Sequence, residues 1–145
     1  MNTVHDNAVR SRAQWQQQAD ALRPHGQAFI DGRFVDAADG AQFDCISPVD
    51  GRLLARVADC AVADVDRAVI AARRSFEAGH WSRATPVHRK RVLLRLADLV
   101  EQHADELALL ETLDMGKPVR DARGDDLPGA VRCLRWTAEA VDKAR

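Results

Sequence analysis

The chain has 145 residues, with 21 Lys and Arg against 22 Asp and Glu, so its formal net charge is −1. This length predicts a single domain, and an apolar fraction of 46% with a charged fraction of 30% is typical of a globular protein rather than of a disordered, collagen-like or coiled-coil chain. The balanced charge argues against a nucleic-acid-binding protein, which needs a basic surface to displace counterions from phosphates.

Three sequence features predict a cytoplasmic protein without membrane contact. No apolar run approaches the ~18 residues that a membrane span requires, and the first residues lack the basic and apolar segments of a signal peptide. The cysteines are odd in number and widely spaced, which indicates reduced thiols rather than disulfides or a metal-binding pair. They are Cys45, Cys60 and Cys133.

The first part of the chain is predicted to form a polar arm and two β-hairpins. The arm covers residues 1–27 and contains a short helix around Trp15, which has too few apolar partners to be stable alone. Asp31-Gly32 is a turn pair that tolerates the positive φ of a two-residue hairpin. Pro48 and Gly51 favour a second, wider turn. The strands are expected at 28–30, 33–35, 43–46 and 52–57.

From residue 62 onward the apolar residues recur with the 3.6-residue period of an amphipathic helix. The first such helix is predicted from Val62 to near Gly79. Ala61 stands at its expected capping position and has no side-chain oxygen, so this end is weakly capped. Acidic residues in its first turn favour it through the helix macrodipole. Its apolar stripe consists of Val62, Val65, Val69 and Phe76.

A second helical region is predicted from Pro86 to Gly116. Thr85 can cap it, and Pro86 stands at the first helical position, where a missing N–H costs nothing. A bend near His103 would divide it in two. The adjacent acids Asp105 and Glu106 lie off the apolar stripe and are expected on a solvated face. The stripe consists of Leu93, Leu96, Ala97, Val100, Ala104, Leu107 and Leu110.

The last helix is predicted to begin around Asp125 and Asp126, with Pro128 in its first turn. Adjacent acids at a helix start favour an N-cap over a catalytic carboxylate pair. No strongly apolar strand of the kind found in parallel sheets lies among the helices, so either the helices pack on one another or the surface that they cover is absent. The last apolar stripe consists of Leu127, Val131, Leu134, Ala138 and Val141.

Motifs for nucleotide binding and hydrolysis are missing from the sequence. It lacks the Gly-x-Gly-x-x-Gly of dinucleotide sites, the Gly-x-x-x-x-Gly-Lys-Ser/Thr loop, the Gly-x-Ser-x-Gly elbow and the His-Glu-x-x-His metal motif. Physical patterns alone therefore indicate an α-rich chain with two hairpins, and they assign no chemistry to it.

Several segments, in the same order, resemble the N-terminal part of an aldehyde dehydrogenase. Phe29-Ile-Asp-Gly-Arg-Phe34 resembles the first hairpin of that family, and Ser47-Pro48 followed by Gly51 resembles its next turn. The most specific segment is 106–118, Glu-Leu-Ala-Leu-Leu-Glu-Thr-Leu-Asp-Met-Gly-Lys-Pro. Within the family, residues 123–130 and 135–143 are most similar to the γ-glutamyl-γ-aminobutyraldehyde dehydrogenases of putrescine catabolism.

The resemblance implies an α/β fold, of which residues 28–145 form the incomplete N-terminal part of the NAD-binding domain. The hairpins and amphipathic helices would flank a Rossmann-like sheet that is absent from this chain. In the family, the nucleophilic cysteine, the water-activating glutamate and the NAD-binding motifs also come later in the sequence. No catalytic or cofactor-binding residue is therefore assigned here, and this chain alone is expected to be inactive and not to bind NAD(P).

The resemblance further implies what a full-length relative does. Such an enzyme would oxidise a small-molecule aldehyde, here expected to be an aminoaldehyde, to a carboxylic acid with NAD(P), and the family forms homo-oligomers. A different class remains open from the residues, namely a non-catalytic helical interaction module that docks on dehydrogenase subunits.

Two sites are implied by the family rather than by spacing. Many members hold a monovalent cation, K⁺ or Na⁺, through backbone carbonyls that correspond here to Cys45 and Ile46 and through a carboxylate that corresponds to Asp114. Oxygen ligands suit a hard cation. The alternative for Asp114 is a hydrogen bond at a helix end.

The second implied site is the substrate entrance, which corresponds to Asp125, Asp126 and Gly129. Carboxylates at such an entrance would attract an aldehyde that carries an ammonium group, because opposite charges attract strongly where water is partly excluded. The alternative for the two acids is the N-cap described above.

Overall fold

The computed structural model describes residues 10–143, so the first nine residues of the predicted arm, including the start that was expected to lack a signal segment, lie outside the described residues. Within the described part, the arm contains helix α1, Arg12–Ala21. Ser11 caps it, since its Oγ accepts the Gln14 N–H at 3.3 Å, and Gln14 Oε1 accepts the Ser11 N–H at 2.7 Å. This reciprocal pair satisfies two helix-end donors and confirms the short helix around Trp15.

Two antiparallel hairpins follow, each a separate two-stranded sheet. Strands β1, Ala28–Ile30, and β2, Arg33–Val35, have the predicted bounds. Both turn residues between them, Asp31 and Gly32, have positive φ of 56° and 76°, as a primed hairpin turn requires. Strands β3, Gln42–Ile46, and β4, Leu53–Ala58, form the second predicted hairpin with ends shifted by one residue.

Helix α2 spans Val62–Ala78 and ends at Gly79, whose φ is 80°, as predicted. As predicted, Ala61 is the N-cap residue and makes no side-chain capping hydrogen bond, but the contacts of Asp64 at this end of the helix were not predicted. Asp64 is buried, and its carboxylate accepts the Ala61 N–H at 3.1 Å, the Ala38 N–H at 3.0 Å and the Arg67 guanidinium at 2.5 Å. Burial raises the pKa of Asp64, but these hydrogen bonds outweigh it and hold the pKa below the ordinary 3.8.

Helices α3, Pro86–Gln102, and α4, Ala104–Met115, confirm the predicted break at His103. Thr85 Oγ1 accepts the His88 N–H at 3.3 Å and caps α3. Gly116 follows α4 with φ of 76°, the left-handed conformation that commonly ends a helix. Local sequence signals therefore located both ends of this region.

The last helix begins where it was predicted, but two short helical segments that were not predicted lead into it. Helix α5, Val119–Asp121, passes through a π turn, Ala122–Asp126, into helix α6, Leu127–Ala140. Helix α6 thus has Asp126 at its N-cap position and Pro128 in its first turn, as predicted, whereas α5 and the π turn were not predicted. Pro128 has no N–H to donate to the carbonyl four residues back, so one hydrogen bond of a continuous α-helix is missing there. The π turn, a known way to absorb such an irregularity, ends two residues before Pro128.

The core lies where α3 and α6 pack against each other. Their ion pairs run in opposite chain order, Lys90 with Glu139 at 2.7 Å and Arg135 with Asp98 at 3.2 Å, so the helices are antiparallel. The predicted α6 stripe is confirmed, whereas Leu96 of the α3 stripe is 44% exposed. Six of the eight buried apolar residues among those described are alanines; the full set is Ala37, Ala97, Ala104, Ala108, Leu109, Ala122, Val131 and Ala138.

The stripe of α2 has no cover among the described residues. Val62 is 76% exposed and Phe76 is 61% exposed, and the two valines between them are exposed as well. Each of the two expected alternatives therefore holds for part of the chain. Helices α3 and α6 pack on one another, whereas the apolar stripe of α2 is not covered by any described residue. None of the helices within residues 10–143 combines the length and apolar character needed to cross a bilayer.

Candidate functional site

The structure brings together two segments that the family resemblance connects. Cys45 stands next to the end of β3, and Asp114 lies one residue before the end of α4. The Cys45 thiol donates a hydrogen bond to Asp114 Oδ1, with an Sγ–Oδ1 distance of 3.4 Å. A Cβ added to Gly116 would lie 3.2 Å from Pro48 Cγ, so the turn after β3 packs closely on the end of α4.

The environment of Cys45 keeps its thiol protonated. Burial raises the pKa of Cys45, and the hydrogen bond to Asp114 and its negative charge raise it further. A thiol becomes nucleophilic as a thiolate, which needs a basic or cationic neighbour, and the group facing Cys45 is an anion instead. Cys45 is therefore a hydrogen-bond donor in this structure.

The carboxylate and carbonyl oxygens near Cys45 and Asp114 are the kinds of ligand that a hard cation prefers. Asp114 supplies a carboxylate close to the chain segment that carries the carbonyls of Cys45 and Ile46. The alternative for Asp114, a hydrogen bond at its helix end, differs from the contact observed, which goes to Cys45 on another element. In the described part of the chain, no group of three His, Cys, Asp or Glu side chains is arranged to hold a metal ion, so backbone carbonyls and water would have to complete any cation site.

Asp125 and Asp126 have different surroundings, although they are adjacent. Asp126 forms a hydrogen-bonded ion pair with Lys117, and Lys117 also lies 3.7 Å from Glu111. The hydrogen bond to Asp126 raises the pKa of Lys117 above its ordinary value. Asp125 is exposed and has no hydrogen bond or ion pair to any side chain that the structure describes.

The N-cap interpretation of these two acids is wrong. Asp126 has right-handed helical φ and ψ of −70° and −51°, and within the described residues its side chain makes no capping hydrogen bond. Asp125 lies inside the π turn. Gly129, the third residue of the implied entrance, is half-buried in the first turn of α6.

Asp105 is a contact residue that the sequence pattern missed. Its Oδ1 accepts the Arg123 Nε–H at 2.6 Å, and its Oδ2 lies 2.5 Å from Arg10 Nη2. The expectation of a solvated face is wrong for Asp105, whose side chain is 32% exposed, but it fits Glu106, whose side chain is 57% exposed beside His103. No spacing signal could have revealed contacts to residues before α1 and after α5.

Arg10 and Asp105 also form one wall of a cleft of about 390 Å³ between α1 and the start of α4. A second cleft, of about 230 Å³, separates the first hairpin from α2. Leu22 and Leu109 line the first cleft, and Ile30 and Ile70 line the second. Neither cleft is lined by Cys45, Asp114 or Asp125, so the clefts are separate from the residues that the resemblance singles out.

Comparisons with known proteins support the resemblance over nearly the whole chain. The aldehyde dehydrogenase family matches residues 34–145. The NADP/NAD-dependent aldehyde dehydrogenase PuuC of Escherichia coli is 50% identical over 131 residues, which are 90% of this chain and 26% of that protein. The aminoacetaldehyde dehydrogenase of Pseudomonas aeruginosa is 49% identical over 133 residues, 92% of this chain and 27% of that protein.

Solved structures agree with the sequence matches. The indole-3-acetaldehyde dehydrogenase of P. syringae, in complex with NAD⁺, is 55% identical, with a TM-score of 0.92 over 94% of this chain and 28% of that one. The γ-glutamyl-γ-aminobutyraldehyde dehydrogenase of Burkholderia cenocepacia is 57% identical, with a TM-score of 0.89 over 91% of this chain and 27% of that one.

The chain spans about a quarter of the length of these relatives. The backbone nevertheless follows theirs closely, and the α-rich architecture with two hairpins is the one that the resemblance implied. On the combined strength of sequence and fold, the chain belongs to the aldehyde dehydrogenase family.

Proposed function

We propose that this chain corresponds to the N-terminal portion of an NAD(P)-dependent aldehyde dehydrogenase subunit, with residues 28–145 in its NAD-binding domain after an arm of residues 1–27. The exposed α2 stripe carries the proposal. Val62, Val69 and Phe76 are each more than half exposed, yet the chain has the conformation of enzymes about four times as long. A contiguous apolar face of this kind marks a surface that another part of a protein covers.

The isolated chain is proposed to be catalytically inactive. A covalent aldehyde oxidation needs an activated thiol, and the anionic neighbour of Cys45 works against thiolate formation. Cys60 and Cys133 are exposed free cysteines without an ion-pair partner in the described part of the chain. The sequence also lacks a glycine-rich turn that could hold the pyrophosphate of NAD(P), so cofactor binding is assigned to the remaining three quarters of the subunit.

The substrate of the complete enzyme is proposed to be an aminoaldehyde. Two relatives at about half identity are named for an aminoacetaldehyde and for γ-glutamyl-γ-aminobutyraldehyde. The family resemblance assigns Asp125, Asp126 and Gly129 to the substrate entrance. The charge of Asp126 is compensated by Lys117, so Asp125 is the carboxylate that would attract an ammonium group there.

A monovalent cation is proposed to bind at the carbonyls of Cys45 and Ile46 and at the Asp114 carboxylate. The closeness of Cys45 to Asp114 supports this assignment, and oxygen donors of these types suit K⁺ or Na⁺. The cation would fix the turn after β3 to the end of α4, and it would take no part in the chemistry. We also propose that the complete enzyme is a homo-oligomer, which the family relationship supports. Its proposed location is the cytoplasm, which the three free thiols support.

A chimeric enzyme tests this function. Residues 10–143 would replace the matching segment of the P. aeruginosa aminoacetaldehyde dehydrogenase, and NAD(P)H formation from aminoacetaldehyde would be followed by absorbance. The chimera is expected to turn over the aldehyde, whereas the 145-residue chain alone gives no rate above the blank. A folded chimera without activity, or measurable turnover by the chain alone, would contradict the proposal.

The open α2 face also suits a second function, that of a module which docks on complete dehydrogenase subunits. Mixing the purified chain with the intact relative and measuring mass by light scattering separates the two. The partial-subunit proposal expects no stable complex, because the intact enzyme already has its own copy of this segment in place. A stoichiometric complex would favour the docking module.

A further inference from the structure

Asp105 joins three segments that are distant in sequence. It lies in the first turn of α4, Arg10 directly precedes the cap of α1, and Arg123 lies in the π turn. Each carboxylate oxygen has its own partner, with Arg10 on Oδ2 at 2.5 Å and Arg123 on Oδ1 at 2.6 Å. One carboxylate therefore contacts both the arm and the turn that leads into α6.

The position of Asp105 favours this double contact. An anion in the first turn of a helix is stabilised by the N-terminal end of the macrodipole. The three side chains are between 32% and 40% exposed, so salt screens these contacts less than it screens fully exposed pairs. Because the two arginines use different oxygens, both contacts can form at the same time.

The π turn is held from its other end by a separate ion pair. Lys117, which follows α4, contacts Asp126 at the last position of the turn. Arg123 stands at the second position of the turn and reaches back to the first turn of α4. The two pairs therefore fix opposite ends of a five-residue segment whose hydrogen bonding is irregular. Loss of either pair would free one end of that segment.

We propose that Asp105 is a positioning residue that sets the π turn, and with it the start of α6, through Arg123, and that it anchors the N-terminal arm through Arg10. The functional half of the proposal rests on the proposed function, which assigns Asp125 and Gly129 to the substrate entrance. Asp105 itself does not touch substrate. Its effect on the reaction passes through the placement of Asp125, two residues beyond Arg123.

Hydrogen exchange in the chimeric enzyme tests the positions directly. Asp105→Asn is expected to speed amide exchange about fivefold in both 12–21 and 122–127, the change that corresponds to loss of a partly exposed ion pair. Arg123→Met should affect only 122–127, and Arg10→Gln only 12–21. Glu106→Gln, which neutralises the neighbouring exposed acid, is the matched control and should change neither segment.

Kinetics separate positioning from a merely structural role. Asp105→Asn and Arg123→Met should each raise the KM for aminoacetaldehyde about threefold and leave kcat within about twofold, because only substrate placement changes. Arg10→Gln and Glu106→Gln should leave both constants unchanged, and Asp105→Glu, which retains the charge, should restore most of the KM.

Two exchange results would overturn the structural half of the proposal. One is unchanged exchange over 122–127 in Asp105→Asn, and the other is an equal effect of Glu106→Gln. If the unmutated chimera is folded but inactive, the proposed function fails, and the exchange pattern still decides whether Asp105 sets the π turn. If the exchange pattern is as expected and KM does not move, Asp105 has no positioning role in catalysis.

Discussion

Helices α2 and α6 show how the same sequence pattern can have two structural outcomes. Both carry an apolar stripe with helical period. In α6, Val131 is 6% exposed and Ala138 is fully buried, because α3 lies along this face. In α2, Val62 and Phe76 are 76% and 61% exposed. The periodicity indicates which face is apolar, but it does not indicate what covers that face.

The contacts that hold α2 explain its orientation. Asp64 binds the Ala38 N–H of the loop after β2, and Arg74 binds Asp31 of the first turn at 2.6 Å. These polar contacts attach one face of α2 to the first hairpin and the loop after it. The valines of the apolar stripe lie on another face of the helix and are exposed. A helix attached through polar groups, with its apolar stripe turned outward, has the arrangement expected of an interface rather than of a core.

The largest expected effect comes from placing a carboxylate in each stripe. Val131→Asp buries a charge in the α3–α6 contact and should destabilise the 145-residue chain by about 4 kcal/mol, seen as loss of helical circular dichroism. We expect the open α2 stripe to promote association between copies of the chain, so Val69→Asp, at a position 59% exposed, should keep the helical signal and reduce that association in sedimentation experiments. Equal destabilisation by both substitutions would mean that α2 is packed as α6 is.

Alanine substitution at two glycines, compared with each other, is expected to give an intermediate effect. It tests whether the turn of the second hairpin is fixed to the end of α4. Gly116→Ala forces a Cβ into a left-handed conformation, 3.2 Å from Pro48 Cγ, and should cost about 1–2 kcal/mol in urea unfolding. Gly124→Ala, in the π turn without positive φ and with open space around it, should be neutral or slightly stabilising. Similar losses in both variants would refute a specific role for the Gly116 conformation.

The smallest effect concerns the polar anchor of α2. Because hydrogen bonds lower the pKa of Asp64 in the folded chain, its contribution is present above the unfolded pKa, near the ordinary 3.8, and is lost as the pH falls through the folded value. Asp64→Asn should lower the urea midpoint by about 0.5 M at pH 7, and this deficit should shrink at pH values below 3.8. Asp66→Asn, exposed on the same helix, is the control; a deficit that stays constant with pH would contradict the assignment.

Local signals predicted most of the elements. Asp31-Gly32 located the first hairpin, Thr85 and Pro86 the start of α3, and Gly116 the end of α4, since each acts through its own backbone conformation or an adjacent hydrogen bond. The buried position of Asp64 was missed because its carboxylate also accepts a backbone N–H that lies 26 residues earlier. Contacts of that separation leave no periodic signal.

The candidate site was predictable only in part. The family resemblance connected Cys45 with Asp114 across 69 residues, and the structure brings the two side chains together. Asp125, Asp126 and Pro128 match the composition of a helix start and located α6, but they did not indicate that α5 and the π turn lead into it. The π turn carries Arg123, which pairs with Asp105 of α4, and such pairing follows from tertiary structure.

The alanines between α3 and α6 have a mechanical consequence. Ala97 and Ala138 are fully buried, and an alanine side chain has no rotamers with which to fill a gap or relieve a clash. A small sliding of one helix past the other therefore cannot be absorbed by side-chain rearrangement, as it can in a leucine-rich interface. We therefore expect α3 and α6 to move together, as one rigid unit, when this part of the chain moves.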